Sequence, residues 1–206
     1  GIPKKKLRVV YSPIDTDNNS SPAQFDKEDY FIVGTVGRIA KEKRQQDIIR
    51  AIKLLRDGGC KIKLIVIGDG PEKKHLQDLT KKLELNNEII FKGEQKEVYF
   101  WYKTFDVFVL ASNYEGMSNA LLEAMSIGLP VITTDIPENQ EIIKDGETGL
   151  LVPVHNPKII AEKIKLIMEN QELRNRLSVN SKKFISDNFS LASFLEKISQ
   201  IIELNN

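Results

Sequence analysis

The chain has 206 residues, of which 41% are hydrophobic and 29% are charged, a composition typical of a soluble globular domain. Its net charge of +1 argues against a nucleic-acid partner, and no apolar stretch is long enough to span a bilayer or reads as a signal peptide. The single cysteine, Cys60, excludes an intrachain disulfide and fits a reducing, cytoplasmic compartment.

The two histidines, His75 and His155, are far apart in the sequence, and neither has a second potential ligand at metal-binding spacing. We therefore predict no metal site, with His75 on the surface of a helix. The run Lys4–Lys6 favours a solvated terminal segment over a membrane anchor.

Turn-forming and polar residues dominate positions 1–25, which we expect to form a linker. Beyond it, short β-rich apolar runs alternate with segments of helical periodicity. In chain order these predict a strand over Tyr30–Val36, a helix through Ile48–Leu55, a strand over Ile62–Ile67, a helix from Pro71 through Leu83, a strand over Glu88–Phe91 and a short helix over Val98–Tyr102.

The second half continues the alternation and then becomes helical. The predicted elements are a strand over Asp106–Leu110, a helix over about Asn119–Ile127, strands over Pro130–Thr133 and Leu150–Pro153, and three helices near Pro157–Asn170, Glu172–Ser186 and Leu191–Leu204.

Strands that alternate with helices at this spacing form βαβ units, which require a parallel sheet with helices on both faces. We therefore predict an α/β fold with a doubly wound, Rossmann-like parallel sheet. Ligands of such sheets bind beyond the carboxyl ends of the strands, at the point where the strand order reverses. The loops after these strands are the places to search for chemistry.

The loop after the first strand carries two cations, Arg38 and Lys43. A guanidinium presents a planar fork to phosphate oxygens, and an ammonium presents a point charge. The alternative is an ordinary charged surface loop, and the loop alone favours that alternative.

The loop after the fourth predicted strand leads into a helix that Ser118 or Asn119 could cap. The backbone N–H groups of Gly116–Asn119 would then point out of the helix start, where anions bind, and Gly116 would allow a ligand to approach closely. We predict a diphosphate at this position.

Glu123 is the only charged residue from Gly116 to Thr134, in an otherwise apolar helix. An unpaired buried carboxylate is costly, so we expect it to have a partner. Helical side chains lean toward the helix start, so Glu123 can reach the cleft and accept hydrogen bonds from vicinal hydroxyls, as on a ribose. The alternative is a helix residue that reaches solvent along one exposed strip.

Glu115 precedes the same helix on the predicted ligand side. It could bind sugar hydroxyls or stabilise positive charge at a sugar carbon, or it could simply be an acid that favours the helix dipole. The segments Gly68–Pro71 and Asp145–Gly149 lack nucleotide-binding spacing and are interpreted as turns.

Glu115 and Glu123 are separated by seven residues, and this setting resembles the EX7E signature of the retaining glycosyltransferases of family four, which have the GT-B fold. The resemblance covers about Val9 to Leu195. Its supporting motifs, in the family's order, are Val36-Gly37-Arg38 with Lys43, Ile67–Pro71, Phe91-Lys92-Gly93, Asp106–Ser112, Gly128–Ile132, Glu141–Ile143, Asp145-Gly146 and Thr148–Val152.

The resemblance implies that Arg38 and Lys43 hold the donor diphosphate and stabilise the leaving group. Glu123 would bind the ribose, and Glu115 would face the transferred sugar; the catalytic set is Glu115, Arg38 and Lys43. The implied donor-binding residues are Gly37, Arg38, Lys43, Phe91, Lys92, Gly93, Gln95, Glu115, Gly116, Met117, Ser118, Asn119, Leu122 and Glu123.

Phe91–Gln95 would border the base, and Gly116–Ser118 would lie near sugar and phosphate. Such enzymes are usually metal-independent, so no cofactor is expected, and retention proceeds by front-face substitution without an enzyme nucleophile. The donor implied is a nucleotide-diphosphate hexose, with UDP-sugars the commonest by analogy. The acceptor would be a saccharide or a lipid-linked saccharide, with cytoplasmic or peripheral membrane location.

Three positions depart from the family's usual pattern. Met117 stands where Phe is frequent, and Ser118 stands where Pro or Gly is frequent, which leaves the donor sugar open. Arg44 stands where Gly is frequent, and its side chain would either add a phosphate contact or point to solvent.

Members of this family have two doubly wound domains, and this chain is expected to supply the second. Residues 1–25 would be the interdomain linker, 26–190 the nucleotide-sugar-binding domain and 191–206 a helix that crosses back to the first domain. The chain alone would bind nucleotide without turnover, and exposed apolar termini would permit self-association. The alternatives are a non-catalytic nucleotide-binding or interaction module, or another GT-B enzyme such as a nucleotide-sugar epimerase or a phosphorylase.

Overall fold

A computed structural model describes residues 13–14 and 29–203. Its strands are β1 (Phe31–Val36), β2 (Ile62–Ile67), β3 (Ile89–Gly93), β4 (Val107–Leu110), β5 (Val131–Thr134) and β6 (Leu150–Val152). Its helices are α1 (Gln45–Asp57), α2 (Lys73–Lys82), α3 (Val98–Tyr102), α4 (Asn119–Ser126), α5 (Pro137–Gln140), α6 (Pro157–Glu169), α7 (Gln171–Phe189) and α8 (Leu191–Glu203), with a 3-10 turn at Lys41–Lys43.

The six strands form one parallel sheet in the order β3-β2-β1-β4-β5-β6. The chain adds β2 and β3 on one side of β1 and then crosses over to add β4, β5 and β6 on the other. The strand order therefore reverses between β1 and β4, and the loops that follow these two strands lie beside one another. The predicted doubly wound sheet is confirmed, and its switch point places the candidate site.

A hydrophobic layer covers each face of the sheet, which explains why the central strands are apolar without alternation. One layer packs α1 and α6 on the sheet, with Ile48, Ile52 and Ile164 fully buried. The other packs α3 and α4 on the opposite face, with Tyr102 and Leu121 fully buried. These layers hold α4 rigidly, so its first turn is fixed against the end of β4.

Two glycines allow the connection after β2 to support the loop after β1. A Cβ on Gly68 would lie 2.0 Å from the Gly37 carbonyl oxygen, and one on Gly70 would lie 2.3 Å from the Ile39 carbonyl oxygen. Gly37 N donates to Ile67 O at 3.0 Å, and Ile39 N donates to Asp69 O at 2.8 Å. The Gly68–Gly70 segment is thus a strand-to-helix turn, as predicted, that also fixes the backbone beside Arg38.

The predicted elements are all present, with small shifts at their ends. Helix α2 begins at Lys73, because Pro71 and Glu72 form a turn before it, and α7 continues beyond Ser186 to Phe189. The sequence analysis did not predict α5, a four-residue helix that follows β5.

Residues 13–14 lie beside the carboxyl end of α7. Ile14 N donates to Phe189 O at 2.9 Å, so residues 13–14 contact the end of that helix. Apart from these two residues, the predicted linker 1–25 with its run Lys4–Lys6 lies outside the described residues, as do residues 204–206. Helix α8 begins after Ser190, at the predicted boundary, and its approach to another domain stays a prediction. Within the described part of the chain, no helix combines the length and apolar character needed to cross a membrane.

Candidate functional site

The loops after β1 and β4 are joined by contacts between the two halves of the chain. Asn113 N donates to Glu42 O at 2.8 Å. Lys43 Nζ donates to both carboxylate oxygens of Glu115, at 2.7 Å and 2.6 Å. Two residues predicted to act on the donor therefore form an ion pair at the switch point.

Glu115 is enclosed although it lies in a loop. Its side chain is 5% exposed, whereas that of Lys43 is 22% exposed. The Ser112 hydroxyl donates to Glu115 Oε1 at 2.5 Å. The buried carboxylate thus has a cation and a hydroxyl as partners, which compensates the cost of removing its charge from water. Lys43 remains partly open, so a bound anion could share its ammonium.

A chain of buried hydrogen bonds extends from Ser112 to α5. Thr134 Oγ1 donates to the Ser112 carbonyl at 2.5 Å. Asn139 Nδ2 donates to Thr133 Oγ1 at 2.7 Å and to the Thr134 carbonyl at 2.8 Å. All four residues are buried. The sequence analysis missed this support, although a Ser shortly after one buried strand and two Thr at the end of another were a visible signal.

Arg38 is exposed in the loop after β1. The side chain of Gln45, which is buried, donates to the Arg38 carbonyl at 2.9 Å and fixes the loop. Among residues 13–14 and 29–203, the Arg38 guanidinium has no hydrogen-bonded or ion-paired partner. It is therefore available to an anionic ligand.

Helix α4 begins beside these cations. Ser118 is its N-cap, with a side-chain oxygen that accepts from Leu121 N at 3.3 Å, as predicted for Ser118 or Asn119. A Cβ added to Gly116 or to Gly37 would meet no atom within 4 Å, so both glycines border open space. Unpaired N–H groups at a helix start attract anions, and here two cations lie on the opposite loop.

Glu123 lies one turn farther along α4 and has the partner that its position required. The Tyr102 hydroxyl donates to Glu123 Oε2 at 3.0 Å. Burial raises the pKa of the Glu123 carboxyl, and the Tyr102 hydrogen bond opposes that rise by favouring the ionised form. Burial, with the adjacent Glu123 carboxylate, also raises the pKa of Tyr102. The Glu123 side chain remains partly exposed, and its contact with a ligand stays a prediction.

A cavity of about 590 Å³ opens beside Arg38, lined by Gly37, the Gly68–Pro71 turn, Gln95 and Val98. Gln95 is held in place: its Nε2 donates to the Lys92 carbonyl at 2.9 Å, and its Oε1 accepts from Trp101 Nε1 at 3.1 Å. The Lys92 ammonium lies 5.0 Å from the centre of the Trp101 ring. This segment forms one wall of the cleft, where the base was predicted.

Two of the predicted donor contacts are not supported by the structure. The Leu122 side chain is fully buried in the core, and its amide donates to the Ser118 carbonyl at 3.1 Å. The Phe91 side chain packs against the opposite hydrophobic layer and lines a separate depression with Thr80. A motif does not show which of its positions face the core of a helix or strand, so donor contacts by Leu122 and Phe91 stay predictions that their side-chain packing does not support.

Three of the other residues predicted to contact the donor, Met117, Asn119 and Gly93, are placed by the structure as follows. Met117 packs partly on the core below α4, Asn119 is exposed in its first turn, and Gly93 ends β3 in a left-handed conformation with φ of 67° and open space beside it.

Arg44 does not simply point to solvent, and a phosphate contact by its side chain stays a prediction. Its backbone is left-handed, with φ of 52°, which explains why glycine suits this position. Its guanidinium makes two hydrogen bonds to the buried Asp47 carboxylate, at 2.9 Å and 3.1 Å. Among the described residues, no three His, Cys, Asp or Glu side chains lie close enough together to hold a metal ion.

Sequence comparison identifies relatives of this chain. The family model for glycosyl transferases group 1 matches residues 17–184. The capsular polysaccharide biosynthesis glycosyltransferase CapM of Staphylococcus aureus is 30% identical over 198 residues, which is 94% of this chain and 52% of CapM. A Campylobacter jejuni enzyme, N-acetylgalactosamine-N,N'-diacetylbacillosaminyl-diphospho-undecaprenol 4-alpha-N-acetylgalactosaminyltransferase, is 32% identical over 190 residues, which is 89% of this chain and 51% of that enzyme.

Structural comparison agrees. A crystal structure of a variant of Staphylococcus aureus TarM in complex with fondaparinux, alpha-GlcNAc-glycerol and UDP matches with a TM-score of 0.79 at 26% identity, over 88% of this chain and 37% of TarM. The chain spans about half the length of the curated relatives it matches, and its structural neighbours are GT-B glycosyltransferases matched over their carboxy-terminal half. This chain therefore belongs to the group 1 glycosyl transferases.

Proposed function

We propose that this chain is the donor-binding domain of a retaining glycosyltransferase that transfers a hexose-type sugar from a nucleotide diphosphate to a saccharide or lipid-linked acceptor. The observation that carries the proposal is the Lys43–Glu115 ion pair, which joins the loop after β1 to the loop that leads into α4. Arg38 lies in the same loop as Lys43, and Glu123 lies one turn into α4. These groups offer cations and N–H donors for a diphosphate and a carboxylate for hydroxyls.

The diphosphate would lie between the α4 start and the loop after β1. Arg38 can bind phosphate oxygens through its planar fork, while Lys43 would supply a shared point charge. As the bond from the sugar to the diphosphate breaks, negative charge grows on the leaving group. Fixed cations and N–H donors stabilise that charge without reorganising, which lowers the barrier.

Glu115 would face the transferred sugar but would not attack it. Both of its oxygens accept hydrogen bonds, two from Lys43 and one from Ser112, so most of its roughly four acceptor positions are engaged. Such a carboxylate is suited to bind sugar hydroxyls and to stabilise positive charge at the sugar carbon. Retention would then occur by front-face substitution, with the leaving group and the acceptor on the same side of the sugar.

The choice of donor and acceptor is supported by the relatives. The TarM complex contains UDP, and the names of the two relatives refer to capsular polysaccharide and to a diphospho-undecaprenol substrate. We infer a UDP-hexose donor, an envelope saccharide or lipid-linked acceptor, and a cytoplasmic location with peripheral membrane association. We also expect no metal or cofactor requirement, so EDTA should leave nucleotide affinity unchanged.

Transfer would need a second domain to close the cleft and bring the acceptor. Because this chain spans about half of its relatives, we expect it to bind nucleotide weakly and to transfer no sugar alone. Sugar transfer by the 206-residue chain itself would contradict this part of the proposal.

The proposal is tested by calorimetric titration of the chain with UDP, GDP, ADP and inorganic phosphate. We expect one nucleotide to bind selectively and Arg38→Ala and Glu123→Ala each to weaken it about 10-fold or more. The matched controls Arg176→Ala and Glu172→Ala remove exposed charges on α7 and should change nothing. Equal affinity for nucleotide in the Arg38→Ala variant and the wild type would contradict the assigned site.

A further inference from the structure

The two glutamates of the candidate site have different kinds of partner. Glu115 is paired with a cation, whereas Glu123 accepts a hydrogen bond from a neutral phenol. Among residues 13–14 and 29–203, Tyr102 is the one side chain bonded to the Glu123 carboxylate, and no Lys, Arg or His forms an ion pair with it. The negative charge of Glu123 is therefore left for a ligand to satisfy.

The Tyr102 hydroxyl is held in a fixed position. Its ring is fully buried and makes edge-to-face contacts with the rings of Tyr99, Phe105 and Phe108, at centroid distances of 5.8, 6.1 and 5.8 Å. The hydroxyl also lies 3.1 Å from the Ala120 carbonyl oxygen, one turn before Glu123 on α4. Three aromatic contacts and two polar ones leave the phenol little freedom to turn.

A carboxylate has two oxygens and about four positions that can accept hydrogen bonds. Tyr102 occupies one position, on Oε2, from inside the fold. Without this bond, the side chain of Glu123 could rotate and would lose the partner that favours its ionised form. With it, Oε2 is anchored to a buried phenol, and no other side chain among the described residues donates to this half-buried carboxylate.

We propose that Tyr102 is a positioning residue that fixes Glu123 to accept two hydrogen bonds from the vicinal hydroxyls of a ribose. The proposal rests on the proposed function, because it needs a nucleotide in the cleft. It adds that ribose recognition depends on a buried residue of α3, 21 positions before Glu123, that does not itself contact the ligand.

The experiment compares UDP with 2′,3′-dideoxyuridine diphosphate, which lacks both hydroxyls. Affinities of the two nucleotides are measured for the wild-type chain, for Tyr102→Phe and for Tyr99→Phe, the same substitution one turn earlier in α3. The wild type should prefer UDP by about 10-fold or more, as expected for hydrogen bonds to a charged group. Tyr102→Phe should remove most of that preference, and Tyr99→Phe should retain it.

The ratio of the two affinities separates positioning from a general structural role. Loosened packing would lower the affinity for both nucleotides alike, whereas a misplaced Glu123 would lower only the affinity for UDP. A Tyr102→Phe variant with the wild-type preference would overturn the inference while leaving the proposed function intact. A wild-type chain that binds both nucleotides equally, or neither, would instead contradict the ribose site itself and the inference with it.

A measurement on the unmodified chain covers the case in which Tyr102→Phe does not fold. The Tyr102 hydroxyl proton is buried, which slows its exchange with water and makes it observable by NMR. Its resonance should shift when UDP is added and should shift far less with the dideoxy nucleotide. Only UDP has the ribose hydroxyls that would donate hydrogen bonds to the Glu123 carboxylate. Identical shifts with both nucleotides would overturn the inference.

Discussion

Glu123 is a charged side chain whose partial burial costs the fold stability. Its carboxylate is half-buried with a neutral partner, and burial raises its pKa. A carboxyl whose pKa is higher in the folded state binds its proton more tightly after folding. Ionising it therefore removes stability as the pH rises from the unfolded value, about 4.3, through the raised folded value.

The variant Glu123→Gln should consequently be more stable than the wild type near pH 7, by on the order of 1 kcal/mol. The amide keeps an oxygen for the Tyr102 hydroxyl but carries no charge. Urea unfolding at pH 7 and pH 4 measures the effect, and the difference should vanish at the lower pH, where the wild-type carboxyl is protonated. The exposed Glu162→Gln on α6 is the control, with no expected change. A less stable Glu123→Gln at pH 7 would contradict the account.

Arg44 and Glu84 provide a paired prediction at the same scale. Both adopt left-handed backbone conformations, with φ of 52° and 57°. Glycine should relieve about 1 kcal/mol of strain at either position. Glu84 is exposed, so Glu84→Gly should stabilise the chain by roughly that amount.

Arg44→Gly should instead destabilise the chain, because the buried Asp47 would keep Arg50 as its one charged partner among residues 13–14 and 29–203. Breaking a buried pair costs about 3–5 kcal/mol when no other partner remains, and the remaining partner and the relieved strain reduce the net loss to about 1–2 kcal/mol. Thermal or urea unfolding of the two variants measures whether each one raises or lowers the stability. If the two glycine variants changed stability in the same direction, the Asp47 contact would not be responsible.

Among the elements, α5 is the one that the sequence did not predict, and its composition explains why. Pro137, Glu138, Asn139 and Gln140 have no apolar periodicity, and isolated helices of four residues do not form. The helix exists because Asn139 bonds to the end of β5, a tertiary contact that local patterns do not encode. The strands and longer helices were predictable because burial imposes a period on their residues.

Asn139→Ala should lower the free energy of unfolding by about 1–2 kcal/mol, since the buried Thr133 hydroxyl loses the Asn139 donor while the Thr134 carbonyl keeps a hydrogen bond from Ile136 N. The effect should also reach the site, because Thr134 holds Ser112 and Ser112 contacts Glu115. Urea unfolding and the NMR shifts of the Ser112 and Glu115 amides report the two effects. Gln140→Ala, an exposed change in the same helix, should alter neither by more than experimental error. An unchanged Ser112 amide would show that α5 supports only stability.

For the candidate site, the sequence located residues better than it located their partners. Arg38, Lys43 and Glu115 were placed at the cleft by their position after buried strands. Their pairing was not foreseen: Lys43 was predicted for phosphate and Glu115 for sugar, and the structure joins the two. Contacts between residues 72 positions apart depend on strand order, which periodicity does not determine.

At the scale of the whole molecule, nucleotide binding should stabilise both halves of the sheet together. The ligand would contact loops after β1 and β4, so opening either half would release it. Hydrogen exchange with saturating UDP should therefore slow amides in both β2 and β5, which lie on opposite sides of the switch point. Protection confined to β1, β2 and β3 would place the ligand on one half alone.

The ion pair across the switch point also bears on how the chain folds. Lys43 and Glu115 can meet only after β1 and β4 have paired, and that contact closes a long loop of the chain. The segments before and after Lys103 can each form their own helices and strands before β1 pairs with β4, and the cleft is then still absent. Recovery of nucleotide binding during refolding should thus lag behind the return of helical signal, and two complementary fragments divided near Lys103 should bind nucleotide only when mixed.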